Sequence, residues 1–158
     1  MNYYDEIKNK FIDNETYKQI KDYSKNKHEL ETYYEVGKLL VEAQGGEERA
    51  KYGDGLIKKY SSELINEGII KAHSRILWRC RQFYILNQKV STMSTQLTWS
   101  HFVELLSIND INQIIYYIDI SSKQNLSVRQ LRNKIKSKEY ERLPETTKNK
   151  LMTKEKIE

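Results

Sequence analysis

Proline and glycine are placed in this chain so that long helices can form. The only proline is Pro144, so no proline ring can interrupt a helix in the residues that precede it. Four of the six glycines fall within residues 45–55, and the other two are Gly37 and Gly68. Between these breaks, apolar residues recur three or four positions apart, which is the spacing of an amphipathic helix. The sequence therefore predicts an all-α fold, a compact domain of about six or seven helices.

Glycine and polar residues mark where the individual helices should end or begin. The predicted helices cover residues 6–23, 30–43 and 56–66, then a segment from about 72, two segments that include residues 102–106 and 111–118, and residues 128–138. Gly45-Gly46 and Gly68 should end the second and third of them, because glycine accepts the left-handed conformation found after helix C-termini.

Three later helices have candidate N-caps, which are Thr98 or Ser100, Asn109, and Ser127. The pattern around Ser127 is the most informative. Ser127 and Gln130 fit a capping box, and Leu126 is placed to pack onto Leu131 as a hydrophobic staple. A helix should therefore begin directly after Ser127.

The segment 71–88 carries four basic residues and no acid. As a helix it has two faces. The apolar face holds Ala72, Ile76, Leu77, Cys80, Phe83 and Tyr84, and the polar face holds Lys71, Ser74, Arg75, Trp78, Arg79, Arg81 and Gln82. One face can close a core while the other offers guanidinium, amide and hydroxyl groups to phosphates and base edges. The alternative is a basic face that only contacts water.

Residues 56–82 resemble a helix-turn-helix unit, with the turn at 67–69. The second helix of such a unit lies in the major groove, and its N-terminal residues contact base edges. Here these residues would be Ser74, Arg75 and Arg79. Trp78 can either stack on a base or pack against another helix.

A second basic segment lies further along the chain. Residues 129–142 hold six bases and two acids, whereas residues 97–122 hold three acids and neither Lys nor Arg. A fold that brings both basic segments to one side would create a positive field there. The predicted nucleic-acid-binding residues are therefore Lys71, Ser74, Arg75, Arg79, Arg81, Gln82, Arg129 and Arg132.

No catalytic or metal-binding motif occurs in the chain. The histidines His28, His73 and His101 are far apart and lack the HExxH spacing. The single cysteine, Cys80, excludes an internal disulfide and a zinc finger, and its place on an apolar face predicts a buried thiol. His101 should be a helix-start residue held by hydrogen bonds. We expect no catalytic residue, no metal and no cofactor.

The overall charge is basic but not extreme, because the chain has 158 residues and a formal net charge of +5. Its uneven distribution along the chain matters more than its total. The N-terminus is polar and charged, which is not typical of a signal peptide, and no apolar run approaches the roughly 20 residues that span a bilayer. We expect a cytoplasmic protein with no membrane contact.

Several blocks of the sequence together resemble the helical N-terminal domain of the YhcG-type bacterial family. They are YYEVGKLLVEAQ at 33–44, KYGDGLIKKYSSELINEG at 51–68, SRILWRCRQFY at 74–84, QLTWSHFVELL at 96–106 and LSVRQLRNKIKSKEYERL at 126–143. Members of that family carry a PD-(D/E)xK nuclease-like domain towards the C-terminus. The resemblance implies that 1–143 is the helical domain, and that 144–158 is a charged tail or the start of a linker to a nuclease-like domain.

The resemblance associates the chain with DNA processing but not with catalysis. The sequence contains no separated Asp and Glu-x-Lys on a strand hairpin, which is the form of the nuclease motif, so we expect no cleavage by this chain alone. The leading hypothesis is a nucleic-acid-binding module, for duplex DNA. The alternative is a protein-interaction or homodimerisation module, with which the twelve tyrosines are also compatible.

Overall fold

A computed structural model of the protein describes residues 2–19, 25–46, 54–90 and 97–157. They contain eight α-helices and no strand. The helices are α1 (Tyr3–Gln19), α2 (Lys25–Ala43), α3 (Asp54–Asn66), α4 (Ser74–Lys89), α5 (Trp99–Leu105), α6 (Ile111–Lys123), α7 (Val128–Lys136) and α8 (Glu145–Ile157). The predicted all-α fold is confirmed. The predicted end of the first helix at Tyr23 lies outside the described residues.

The chain divides into two compact units, Met1–Gln88 and Lys89–Glu158. Helix α8 lies in the segment for which we predicted a charged tail or linker. The division into a domain of residues 1–143 and a tail of residues 144–158 stays a prediction.

In the first unit, α2 packs against both α1 and α4. The rings of Phe11 on α1 and Tyr33 on α2 meet edge to face, with their centroids 6.4 Å apart. The ring centroids of Tyr34 on α2 and Tyr84 on α4 are 5.2 Å apart. The Tyr34 hydroxyl also accepts a hydrogen bond from Gln88 Nε2 at 3.1 Å. Gly37, one turn later in α2, faces Cys80, one turn earlier in α4. The two helices therefore run antiparallel.

Two helices of the first unit end at glycines, as predicted. After α2, the amides of Gly45 and Gly46 donate to Glu42 O and Val41 O at 3.0 and 2.9 Å. After α3, the amides of Gly68 and Ile69 donate to Ile65 O and Leu64 O, both at 3.0 Å. Gly45, Gly46 and Gly68 all have positive φ. Both ends are thus Schellman motifs, in which these bonds satisfy carbonyls of the last helical turn.

In the second unit, capping residues fix the helix starts. Thr98 is the N-cap of α5, which selects one of the two predicted candidates. Asp110 caps α6, so the prediction of Asn109 was wrong by one residue. Ser127 and Gln130 form the predicted capping box of α7, with bonds of 2.9 and 3.1 Å. Leu126 and Leu131 are both buried beside it.

The C-terminal ends of α6 and α7 use residues other than glycine in the left-handed region. Asn125 follows α6 with φ 49, and Lys138 follows α7 with φ 57. Around Lys138, the amides of Lys138 and Glu139 donate to Ile135 O and Lys134 O at 3.0 and 3.3 Å. Asparagine tolerates this conformation, whereas a lysine adopts it at a steric cost.

The position of one predicted side chain differs from the structure. The sequence pattern puts Arg81 on the polar face of the basic helix, but Arg81 is only 9% exposed. Its burial arises from a contact with the end of α2, which the period of a single helix does not contain.

Candidate nucleic-acid interface

Helix α4, which carries most of the predicted site, is joined to α3 by residues 67–73. This connection is longer than the roughly three or four residues of a typical helix-turn-helix turn. It contains the Schellman motif at Gly68 and a further turn in which the amide of Ala72 donates to Ile69 O at 3.1 Å. The helix-turn-helix unit stays a prediction.

The apolar face of α4 closes the core of the first unit. Leu77, Cys80 and Phe83 are buried, and Gly37 of α2 lies against the backbone of Cys80. Burial raises the pKa of the Cys80 thiol, which makes the thiolate scarce near neutral pH. Cys80 is therefore a core residue, in agreement with the prediction of a buried thiol.

The outer face of α4 presents Arg75, Trp78, Arg79 and Gln82. These positions follow the spacing i, i+3, i+4, i+7 and so form one continuous stripe. Arg75 and Gln82 are exposed, and Trp78 and Arg79 are half-buried. In the part of the chain that the structure describes, neither Arg75 nor Arg79 has an ion-pair partner. Their positive charge is thus available to solvent or a ligand. Ser74, at the start of α4, is half-buried.

Lys71 and Arg81 are held by other parts of the first unit. Lys71 Nζ lies 2.8 Å from Glu15 Oε1 of α1. Arg81 Nε donates to Gln44 Oε1 at 3.1 Å, and its guanidinium lies 5.2 Å from the ring centroid of Trp78. Arg81 therefore links α4 to the end of α2 and supports one face of Trp78 through a cation–π contact.

The predicted residues of α7 belong to the second unit. Arg129 is exposed. Arg132 donates to Glu104 Oε1 of α5 from Nε at 2.9 Å and from Nη2 at 2.7 Å. These hydrogen bonds raise the pKa of the Arg132 guanidinium, and the carboxylate offsets its charge. A single face that combines α4 and α7 stays a prediction.

His101 is a structural residue, as expected. Its Nδ1 accepts a hydrogen bond from the Thr98 amide at 3.0 Å, and its Nε2 lies 2.8 Å from Leu126 O. A carbonyl can only accept, so Nε2 carries the proton and the imidazole is the neutral Nε2–H tautomer. Both ring nitrogens are thereby engaged, Nδ1 with the N-cap residue of α5 and Nε2 with the residue before the N-cap of α7.

Within the described ranges, no group of three or more His, Cys, Asp or Glu side chains is arranged to hold a metal ion. Among the same residues, no helix combines the length and the apolar character needed to cross a membrane.

A protein-family model described as the DUF1016 N-terminal domain matches residues 8–142. The chain belongs to this family. It is also 32% identical, over 144 residues, to the Escherichia coli (strain K12) protein named "Putative nuclease YhcG". The match covers 70% of this chain and 38% of that protein, so the chain corresponds to well under half the length of this relative. The predicted resemblance is confirmed. No solved structure matches the chain.

One feature of the first unit was not predicted from the sequence, a cleft between α1 and the connection from α3 to α4. Its lining includes Phe11, Ile12, Ile69 and Ile70. One signal was present in the sequence, because the apolar pair Ile69-Ile70 stands in a turn between Gly68 and Lys71. The cleft itself depends on α1, whose lining residue Phe11 precedes Ile69 by 58 positions in the chain.

Proposed function

We propose that this chain is a DNA-binding helical module of a nuclease-associated family, and that it has no catalytic activity of its own. The observation that carries the proposal is the stripe of Arg75, Trp78, Arg79 and Gln82 on α4. It combines two cations without ion-pair partners among the described residues, an aromatic ring and an amide. These are the groups that bind phosphates, stack on bases and bond base edges.

The surroundings of the stripe support this role. The opposite face of α4 is fixed in the core, so the stripe is presented by a helix that cannot rotate freely. Arg81 holds Trp78 from inside the unit, which leaves the remaining surface of the ring for a base. Arg75 and Arg79 would then contact phosphates, and Gln82 would contact a base edge. In the second unit, Arg129 is the candidate for a further phosphate contact, since the charge of Arg132 is offset by Glu104.

The absence of cleavage follows from the chemistry that phosphodiester hydrolysis needs. Metal-dependent nucleases fix carboxylates around one or two ions. The sequence holds no motif of that kind. The E. coli relative is named a putative nuclease, but this chain matches only 38% of that protein. We expect no nicking of plasmid DNA with Mg²⁺ or Mn²⁺. Cleavage that is abolished by changing an acidic residue of this chain would contradict the proposal.

Binding is tested by charge reversal on α4 with a matched control. Arg75→Glu with Arg79→Glu should weaken binding of a DNA duplex and reduce the slope of log K against log salt by about 2, since two phosphate contacts are lost. Lys25→Glu with Lys27→Glu changes the net charge equally, at two exposed positions of α2. This control should keep the parent slope.

The salt titration also separates the proposal from a solvated basic face. Fluorescence anisotropy at several salt concentrations measures both slopes, and circular dichroism confirms that all variants are folded. Equal losses in both double variants would mean that only net charge matters. No binding by the parent at low salt would reject the nucleic-acid function.

A further inference from the structure

The cleft of the first unit exposes apolar side chains to water. It has a volume of about 450 Å³ and lies between α1 and residues 67–71. Ile70 is 76% exposed and Ile12 is 44% exposed, and both line the cleft together with Phe11 and Ile69. Removing such side chains from water by contact with a partner is favourable. An apolar cleft with exposed isoleucines is typical of an interaction surface.

Two ion pairs cross the cleft, one towards each end. Lys8 Nζ lies 2.9 Å from Glu67 Oε1, and Lys71 Nζ lies 2.8 Å from Glu15 Oε1. Lys8 and Glu15 are seven residues apart on α1, which is about two turns or 10 Å. Both therefore lie on the same face of the helix. The pairs have opposite polarity, because α1 supplies the cation of the first pair and the anion of the second.

This pattern of charges is complementary to itself. Two copies whose clefts face each other can be related by a half-turn about either of two axes. If the axis runs along the cleft, each cation of one copy lies opposite the anion of the same pair in the other copy. If the axis runs across the cleft, Lys8 of one copy lies opposite Glu15 of the other, and Glu67 lies opposite Lys71. Every cation meets an anion in both arrangements. A two-fold symmetric contact requires a surface that matches itself in this way. The four charges sum to zero, so the cleft does not attract a partner of one sign, such as a nucleic acid.

We propose that this cleft is the surface through which two copies of the chain associate, with the Ile70 side chain of each copy packed into the cleft of the other. Burial of Ile70 and Ile12 supplies the affinity, and the crossed ion pairs set the orientation. The proposal does not depend on DNA binding, because Arg75 and Arg79 do not line the cleft. Failure of one proposal therefore leaves the other standing.

Sedimentation equilibrium of the purified chain tests the association. We expect the parent to dimerise, and Ile70→Asp to raise the dimer dissociation constant about tenfold or more. The matched control is Ile65→Asp, which adds the same charge at an isoleucine that is 38% exposed and does not line the cleft. This control should have the same dimer dissociation constant as the parent. A parent that stays monomeric, or an equal loss in both variants, would overturn the proposal. Thermal melts of both variants should show that each still folds.

Exchanging charges tests the orientation of the two copies. Lys8→Glu with Glu67→Lys reverses one ion pair and leaves the other unchanged. A dimer that persists fits a two-fold axis along the cleft. A dimer that weakens in this variant, and recovers when Glu15→Lys and Lys71→Glu are added, fits an axis across it. Weakening without recovery contradicts the charge pattern and rejects the cleft as the dimer surface.

Discussion

Replacing Gly37 by alanine should damage the contact between α2 and α4. A Cβ atom placed on Gly37 would lie 2.7 Å from the carbonyl carbon of Cys80 and 2.8 Å from Cβ of Tyr84, and nearer still to the carbonyl oxygen of Cys80. Carbon atoms without a bond between them are normally about 3.5–4.0 Å apart. The two helices would therefore have to separate by about 1 Å. The obstacle is mainly backbone, which cannot turn aside as a flexible side chain can.

The expected cost follows from two opposing effects. Overpacking a core costs about 1–3 kcal/mol, and a clash with backbone belongs at the upper end of that range. Alanine is favoured over glycine within a helix by about 1 kcal/mol. The Gly37→Ala variant should therefore lose about 2 kcal/mol of unfolding free energy, and its melting temperature should fall by about 6 °C.

Two other glycines provide matched controls in the same unit. A Cβ on Gly55 of α3 or on Gly68 after α3 would meet nothing within 4 Å. Gly55→Ala should be neutral or stabilising by up to about 1 kcal/mol, because only helix propensity changes. Gly68→Ala should cost about 1 kcal/mol, because its φ of 93 is unfavourable for a side chain.

Urea unfolding followed by circular dichroism and tryptophan fluorescence measures all three changes. The predicted order of stability is Gly55→Ala, then Gly68→Ala, then Gly37→Ala. If Gly37→Ala unfolds at the same urea concentration as Gly55→Ala, then α2 and α4 do not approach as closely as described. The assignment of Gly37 as a packing residue would then be wrong.

Three further predictions concern single side chains. His101→Ala should lower the free energy of unfolding in urea by about 3 kcal/mol, because the Leu126 carbonyl and the Thr98 amide lose their hydrogen-bond partner. The control Ser100→Ala, at an exposed neighbouring position, should change this free energy little. Lys138→Gly should stabilise by about 1 kcal/mol, since it relieves a left-handed φ, and a destabilised variant would contradict this. The Tyr4 hydroxyl donates to Glu67 and, with Lys8, lowers the pKa of its carboxyl. A carboxyl with a lowered pKa adds stability above its ordinary pKa and loses it as pH falls through the lowered value. NMR titration should therefore show that Glu67 becomes protonated at a lower pH in the parent than in the Tyr4→Phe variant.

The parts of the fold that could be predicted from sequence are those set by near neighbours. The capping box of Ser127 and Gln130 lies within four consecutive residues, so one short segment determines where α7 begins. Gly45-Gly46 and Gly68 end their helices for a local reason as well, because few other residues adopt positive φ easily. The confirmed all-α fold rests on many such local choices.

The parts that could not be predicted depend on residues far apart in the chain. Arg81 is buried because Gln44, thirty-seven positions earlier, binds its guanidinium. Arg132 belongs to an ion pair because α7 lies beside Glu104 of α5. A helical wheel assigns both arginines to a solvent face, since it contains no information about neighbouring helices. The same limit applies to the proposed site. The sequence proposed Arg75, Arg79 and Lys71 alike, because it does not show that Lys71 forms an ion pair with Glu15.

The imidazole of His101 joins two helix starts that are separated in sequence. Through Nδ1 it holds the N-cap residue of α5, and through Nε2 it holds the carbonyl of Leu126, the residue before the N-cap of α7. Neither start can open without weakening the other. The amides of Thr98 and Gln130 should therefore exchange with deuterium at similar rates and respond together to denaturant, as members of one cooperative opening unit.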